Sequence, residues 1–128
     1  MAASSSATTV WHGGLADGSG VTKPESGAFP STDVSWASRT KRAAGNTSPE
    51  ELLAAAHASC YCMQLSHVLG EAGSPPEQLE AKVTVLFVPG EGVKSSHIDV
   101  TGQVTSLTRT AGTGRERNRD RHRDRPAG

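Results

Sequence analysis

The stretch from Ser48 to Pro76 constrains the fold more than any other part of this chain. Ser48 is a helix N-cap type, Pro49 suits the first helical position, and Glu51 stands three residues after Ser48, as a capping box requires. Glu50 and Glu51 also favour the positive end of a helix dipole. Downstream, Gly70 and Gly73 offer stops, and Pro75-Pro76 prevents continuation. One long helix is therefore expected through Leu52–Leu69. Leucines, alanines, Cys60, Met63 and Val68 spread apolar or small side chains over most of its circumference, which predicts a central, buried helix.

Around it the sequence reads as strands. Thr8–Gly13 forms a short strand, Gly18–Gly20 a turn, and Val21–Ser26 a second strand that pairs with the first. Residues 27–46, rich in Pro, Gly, Ser and charge, read as a loop with a short strand around Val34–Trp36. Beyond the helix, Leu79, Ala81, Val83, Val85 and Phe87 alternate with Glu80, Lys82 and Thr84. After a turn at Pro89–Gly92, His97–Val104 alternates again, giving a second hairpin. Strands, one long helix, then strands define an α+β fold.

Hydrophobic content of 34% with 4% aromatic is lean for a self-sufficient globule of 128 residues. The formal net charge is zero, but residues 1–108 carry −4 and the last twenty residues +4, so two chemically different pieces are joined. No apolar run approaches the ~20 residues of a membrane span. Met1–Ser6 has neither a basic nor an apolar signal region, so no secretory signal is expected. Two cysteines without such a signal point to reduced thiols and a cytoplasmic location, not to a disulfide scaffold.

Cys60 and Cys62 lie about 200° apart around the expected helix and face different ways, so they cannot form a disulfide without unwinding it. The plain reading makes both small buried hydrophobes. A reactive cysteine needs a cation nearby, and Arg39, Lys41 and Arg42 precede the helix by a short loop. His57-x-x-Cys60 places two metal-ligand types one turn apart, but no closed zinc spacing accompanies them, and no metal is expected. His57 and His67 read as packed or surface histidines. No phosphate loop, nucleophile elbow or dinucleotide fingerprint is found.

The run Gly45-Asn46-Thr47-Ser48-Pro49-Glu50-Glu51-Leu52-Leu53-Ala54-Ala55-Ala56-His57-Ala58-Ser59-Cys60 closely resembles the signature of the OsmC/Ohr family of bacterial thiol peroxidases. Val10–Gly13, Ser38-Arg39 and Glu71–Gly73 fall at that family's offsets, nearer its OsmC branch, and the likeness covers residues 8–105. It implies an intertwined homodimer with its sites at the interface. It also implies oxidative-stress defence by reduction of organic hydroperoxides, and hydrogen peroxide less readily, to alcohol and water. Carried over by position, Cys60 matches the peroxidatic cysteine, Arg39 the arginine that stabilises its thiolate, and Glu50 the acid that orients that arginine. No cofactor is implied; the reductant is an external thiol or dithiol. Glu50 and Cys60 are ten residues apart, about 15 Å along one helix axis. Glu50 therefore acts from the second chain of the dimer or through Arg39.

The family continues with a second helix, a Cys-Pro-x-Ser resolving cysteine and a last strand, which are not found here. The domain expectation is thus an incomplete OsmC-like domain over residues 1–107 and an anomalous disordered tail over 108–128. Gly114–Arg125 alternates arginine with Glu, Asn, Asp and His. The interleaved acids and the lack of aromatics argue against a nucleic-acid tail. Asn, Asp and His codons followed by CGN read one base later as Thr or Ile, alternating with Val- or Ala-like residues. This points to a deletion with a frame shift over a former strand, which the coding DNA decides. The expected activity is therefore impaired, and the alternative is a non-catalytic remnant or a dimerisation partner of an intact homologue.

Overall fold

The computed structural model describes residues 2–41 and 45–104. The arginine-rich tail and Arg42 lie outside the described residues. The chain divides into two compact units, Met1–Leu52 and Leu53–Gly128.

In the first unit β1 (Ala7–His12), β2 (Ser19–Pro24) and β3 (Thr32–Val34) form an antiparallel sheet with β2 in the middle. The expected hairpin is present, paired from Ala7↔Pro24 to His12↔Ser19, so β2 starts two residues earlier than its weak periodicity suggested. Trp11 pairs with Gly20 across the strands. A Cβ on Gly20 would lie 2.7 Å from Cε3 of the Trp11 ring, so the indole lies over a position that only glycine fills without displacement. Thr9 and Thr22 join their hydroxyls at 2.6 Å on the same pair of strands.

The strand expected around Val34–Trp36 stops at Val34. The chain turns instead into α1 (Trp36–Thr40). Ser35 is the N-cap: its hydroxyl accepts from the Ser38 amide at 3.1 Å, while the Ser38 hydroxyl accepts from the Ser35 amide at 3.1 Å. Two serines at this spacing satisfy two otherwise orphaned donors, a local gain that continued strand pairing does not offer.

Helix α2 (Pro49–Glu71) begins where its caps predict. The Ser48 hydroxyl accepts from the Glu51 amide at 3.1 Å, and the Ser48 carbonyl accepts from the Leu52 amide at 3.1 Å. The reciprocal half of the capping box does not form, because the Glu51 carboxylate accepts from the Thr47 hydroxyl at 2.5 Å. The other end is a Schellman motif. Ser74 N–H donates to Leu69 O at 2.9 Å and Gly73 N–H to Gly70 O at 3.0 Å, with Gly73 at φ 84°.

The expected burial of α2 is not observed. Glu50 is its one buried residue, while Leu53, Met63 and Val68 are 50%, 73% and 49% exposed. A helix that is apolar all round needs cover on every side, and the described part of the second unit supplies one two-stranded sheet.

That sheet pairs β4 (Pro76–Val88) with β5 (Gly92–Val104), longer than the alternation alone delimits. Pro76 opens β4, a position where its missing N–H costs the ladder least. Ala81↔Val100, Val83↔Ile98 and Val85↔Ser96 share one face, with Ile98 and Val100 buried. A register shift between Leu86 and Phe87 precedes the turn. Among the described residues, no helix is long and apolar enough to cross a membrane.

Candidate active site

Arg39 and Glu50, expected to act together, meet in the first unit. Arg39 is in the last turn of α1 and Glu50 in the first turn of α2. Arg39 Nη2 donates to Glu50 Oε2 at 2.9 Å, and Nε lies 3.2 Å from each carboxylate oxygen. The fork of the guanidinium thus grips a carboxylate whose side chain is 5% exposed, against 32% for the arginine. Such bidentate, charge-assisted bonds fix the orientation of the guanidinium plane as well as its charge. Trp36, one turn before Arg39, presents its ring face 5.9 Å from the guanidinium carbon, within cation–π range.

Next to this pair is a cavity of about 320 Å³ walled by Trp11, Leu15, Val34, Trp36 and Leu52, with Arg39 the one charged side chain lining it among the described residues. An apolar recess with one fixed cation suits a ligand having an apolar body and one polar or anionic end. Trp11 and Trp36 were not singled out in the sequence as site residues. The signal available for Trp36 was the Ser35-x-x-Ser38 spacing, which caps a helix and so places Trp36 and Arg39 on one face of it.

Cys60 belongs to the second unit and is exposed on α2; Cys62 is half-buried, and both thiols are free. Cys62 lines a shallow groove with Met63, Ser66 and residues of the β4 start. One turn before Cys60, His57 Nδ1 lies 2.8 Å from Ser96 Oγ on β5, a half-buried contact between helix and sheet. His57 is therefore a packed, hydrogen-bonded histidine, as its sequence context suggested. Among the described residues no group of three or more His, Cys, Asp or Glu side chains is placed to hold a metal ion.

With this geometry in view, comparison with known proteins is specific. The family model described as OsmC-like protein matches residues 42–113. Peroxiredoxin OsmC of Escherichia coli (strain K12) is 39% identical over 75 residues, which are 59% of this chain and 52% of that protein. Peroxiredoxin OsmC of Shigella flexneri matches with the same identity and coverage. The chain therefore spans about half the length of the curated relatives it matches. Among solved structures, the organic hydroperoxide resistance protein OhrB of Bacillus subtilis aligns with a TM-score of 0.50 at 21% identity, over 91% of this chain and 84% of that one. The organic hydroperoxide resistance protein OsmC of Legionella pneumophila aligns with a TM-score of 0.53 at 21% identity, over 93% and 82%. At that identity the two structures speak to the fold alone.

Proposed function

Because this chain belongs to the family of OsmC-like proteins, we propose that it is a thiol-dependent peroxidase of organic hydroperoxides, and of hydrogen peroxide less readily, with Cys60 as nucleophile. The observation that carries the reading is the forked Arg39–Glu50 pair on the wall of an apolar cavity. The cavity suits the organic part of an alkyl or aryl hydroperoxide. Arg39 suits the stabilisation of a thiolate, with Glu50 holding it in orientation.

In the chemical step the Cys60 thiolate attacks the distal peroxide oxygen. An S–O bond forms as the O–O bond breaks, and the alkoxide leaves and takes up a proton to become the alcohol. Cys60 is then a sulfenic acid. Two equivalents of thiol return it to the thiol, forming a disulfide and water. Cys62 is about 200° around the helix from Cys60, so it does not resolve the sulfenate; an external thiol or dithiol does. A slow external reductant leaves Cys60 open to over-oxidation, and impaired turnover follows.

Helix α2 is unbroken from Pro49 to Glu71, and ten residues of helix span about 15 Å. Glu50 therefore acts on Cys60 through Arg39 or from a second copy; with the homodimer that the family resemblance implies, we infer that the Arg39–Glu50 pair of one chain serves the Cys60 of the other. The exposed apolar side chains of α2 are consistent with such an assembly.

The test is stoichiometric. Purified protein is mixed with cumene hydroperoxide, and peroxide consumed per chain is counted with and without a dithiol. One equivalent followed by arrest without dithiol, and sustained turnover with it, is the expected result, abolished by Cys60→Ser. No consumption under either condition refutes the peroxidase and leaves a non-catalytic dimerisation or binding role.

A further inference from the structure

The inner face of the β4–β5 sheet is apolar along its length except at Ser96. Val85 lies opposite that position, Val83 and Ile98 follow it and Ala81 and Val100 come next along the register, while Glu80, Lys82, His97 and Asp99 alternate to the other face. The hydroxyl is used: it meets His57 Nδ1 at 2.8 Å. A histidine tied through one ring nitrogen has its ring plane held by that bond, and a serine hydroxyl is able to accept from Nδ1–H. Nε2 has no protein hydrogen-bond partner among the described residues.

His57 precedes Cys60 by three residues on an unbroken helix. Side chains at this spacing are neighbours, with Cβ atoms about 5–6 Å apart. Helical side chains lean toward the N-terminus, so that of Cys60 leans back over the turn carrying His57. No direct hydrogen bond joins the two among the described residues, so a proton passing between them travels through the bound peroxide or one water. The other titratable side chain at neighbour spacing to His57 on α2 is Tyr61, four residues on.

We propose that His57, held through Nδ1 by Ser96, relays the Cys60 thiol proton to the oxygen that leaves during peroxide reduction. The inference rests on the reading of Cys60 as the nucleophile. Nδ1–H donates to Ser96 Oγ, so Nε2 accepts the thiol proton as the thiolate forms. Sulfur attacks the distal oxygen of the hydroperoxide, the S–O bond forms and the O–O bond breaks. The departing alkoxide takes the proton from Nε2. The products are the Cys60 sulfenic acid and the alcohol, with His57 neutral again, so one thiol and one hydroperoxide account for every atom and electron.

A leaving-group comparison tests this in the full chain. The rate of Cys60 oxidation is measured by loss of titratable thiol in a Cys62→Ser background, with tert-butyl hydroperoxide and with peracetic acid. An alkoxide needs a proton to leave, whereas acetate does not. His57→Gln is expected to slow the alkyl hydroperoxide on the order of 100-fold, the scale of a general acid, and the peracid less than about tenfold. Ser96→Ala is expected to show the same selectivity at smaller amplitude, with Ser96→Thr restoring the rate; it carries the test alone if His57→Gln does not fold. Equal slowing of both oxidants, or of neither, overturns the relay while leaving Cys60 as nucleophile. Peroxide consumption that survives Cys60→Ser overturns the reading of Cys60, and the relay with it.

Discussion

Arg39 closes its guanidinium fork on Glu50 across the loop between α1 and α2, with Nη2 2.9 Å from Oε2 and a carboxylate side chain that is 5% exposed. Glu50 lies in the first turn of α2, which Ser48 caps, and Arg39 in the last turn of α1, whose other end Ser35 caps. The pair therefore depends on two local capping events that the sequence specifies independently.

Removing one member of this pair is expected to cost more than removing both. Arg39→Met leaves a buried carboxylate without its cation. A fully buried pair broken in this way loses about 3–5 kcal/mol, and the partial exposure of Arg39 places this case at or below the low end. Arg39→Met/Glu50→Gln removes the stranded charge and should unfold at a higher urea concentration than Arg39→Met alone. A double variant less stable than the single one contradicts this account.

Ser48 is fully buried, and its hydroxyl caps α2 through the Glu51 amide. Ser48→Ala is expected to destabilise the protein by about 1–2 kcal/mol, the cost of an N-cap. Urea denaturation followed by far-ultraviolet circular dichroism reads this directly. Glu51→Ala should cost less, since the Glu51 side chain bonds to Thr47 and not to the cap amide.

At Gly20 an added methyl meets the Trp11 ring at 2.7 Å and the Val10 carbonyl at 3.1 Å. Gly20→Ala should therefore displace Trp11 and lose about 1–3 kcal/mol, as overpacked sites do. Its signature is a shift in the Trp11 emission maximum, measured in a Trp36→Phe background. An unchanged spectrum at wild-type stability would show that the indole does not rest on this glycine.

The two thiols should separate chemically. Cys60 is exposed and Cys62 half-buried, so a first equivalent of iodoacetamide is expected on Cys60, as read by peptide mass spectrometry. Cys62→Ser should leave peroxide consumption within about twofold, because a small half-buried thiol there serves packing.

Dissociation should abolish activity without disarming the cysteine. Met63→Glu places a charge on the most exposed large apolar side chain of α2. Sedimentation velocity is expected to show monomer, with peroxide turnover lost and Cys60 still alkylated by iodoacetamide. A fully active monomer would remove the argument that Glu50 of one chain serves Cys60 of another.

The long helix is legible from residues alone, because its start and stop are written in local chemistry. Ser48, Pro49, Gly73 and Pro75-Pro76 act on the backbone groups next to them and need no distant partner. The second hairpin is legible too, since period-two alternation from Leu79 to Phe87 and from His97 to Gln103 distinguishes the two faces of a strand. Cys60, Arg39 and Glu50 were legible as candidates from the Gly45–Cys60 run and its flanking anchors. Helix α1 is local as well: Ser35 bonds to Ser38 three residues on, a polar pairing that hydrophobic periodicity does not register. The remaining features depend on distant parts of the chain. Trp11 and Trp36 became walls of one cavity through pairing across strands and a helix turn. His57 found Ser96, 39 residues away. The exposure of α2 also came from the structure. Composition records how apolar a helix is, but what covers it depends on how many other surfaces the folded chain brings to it.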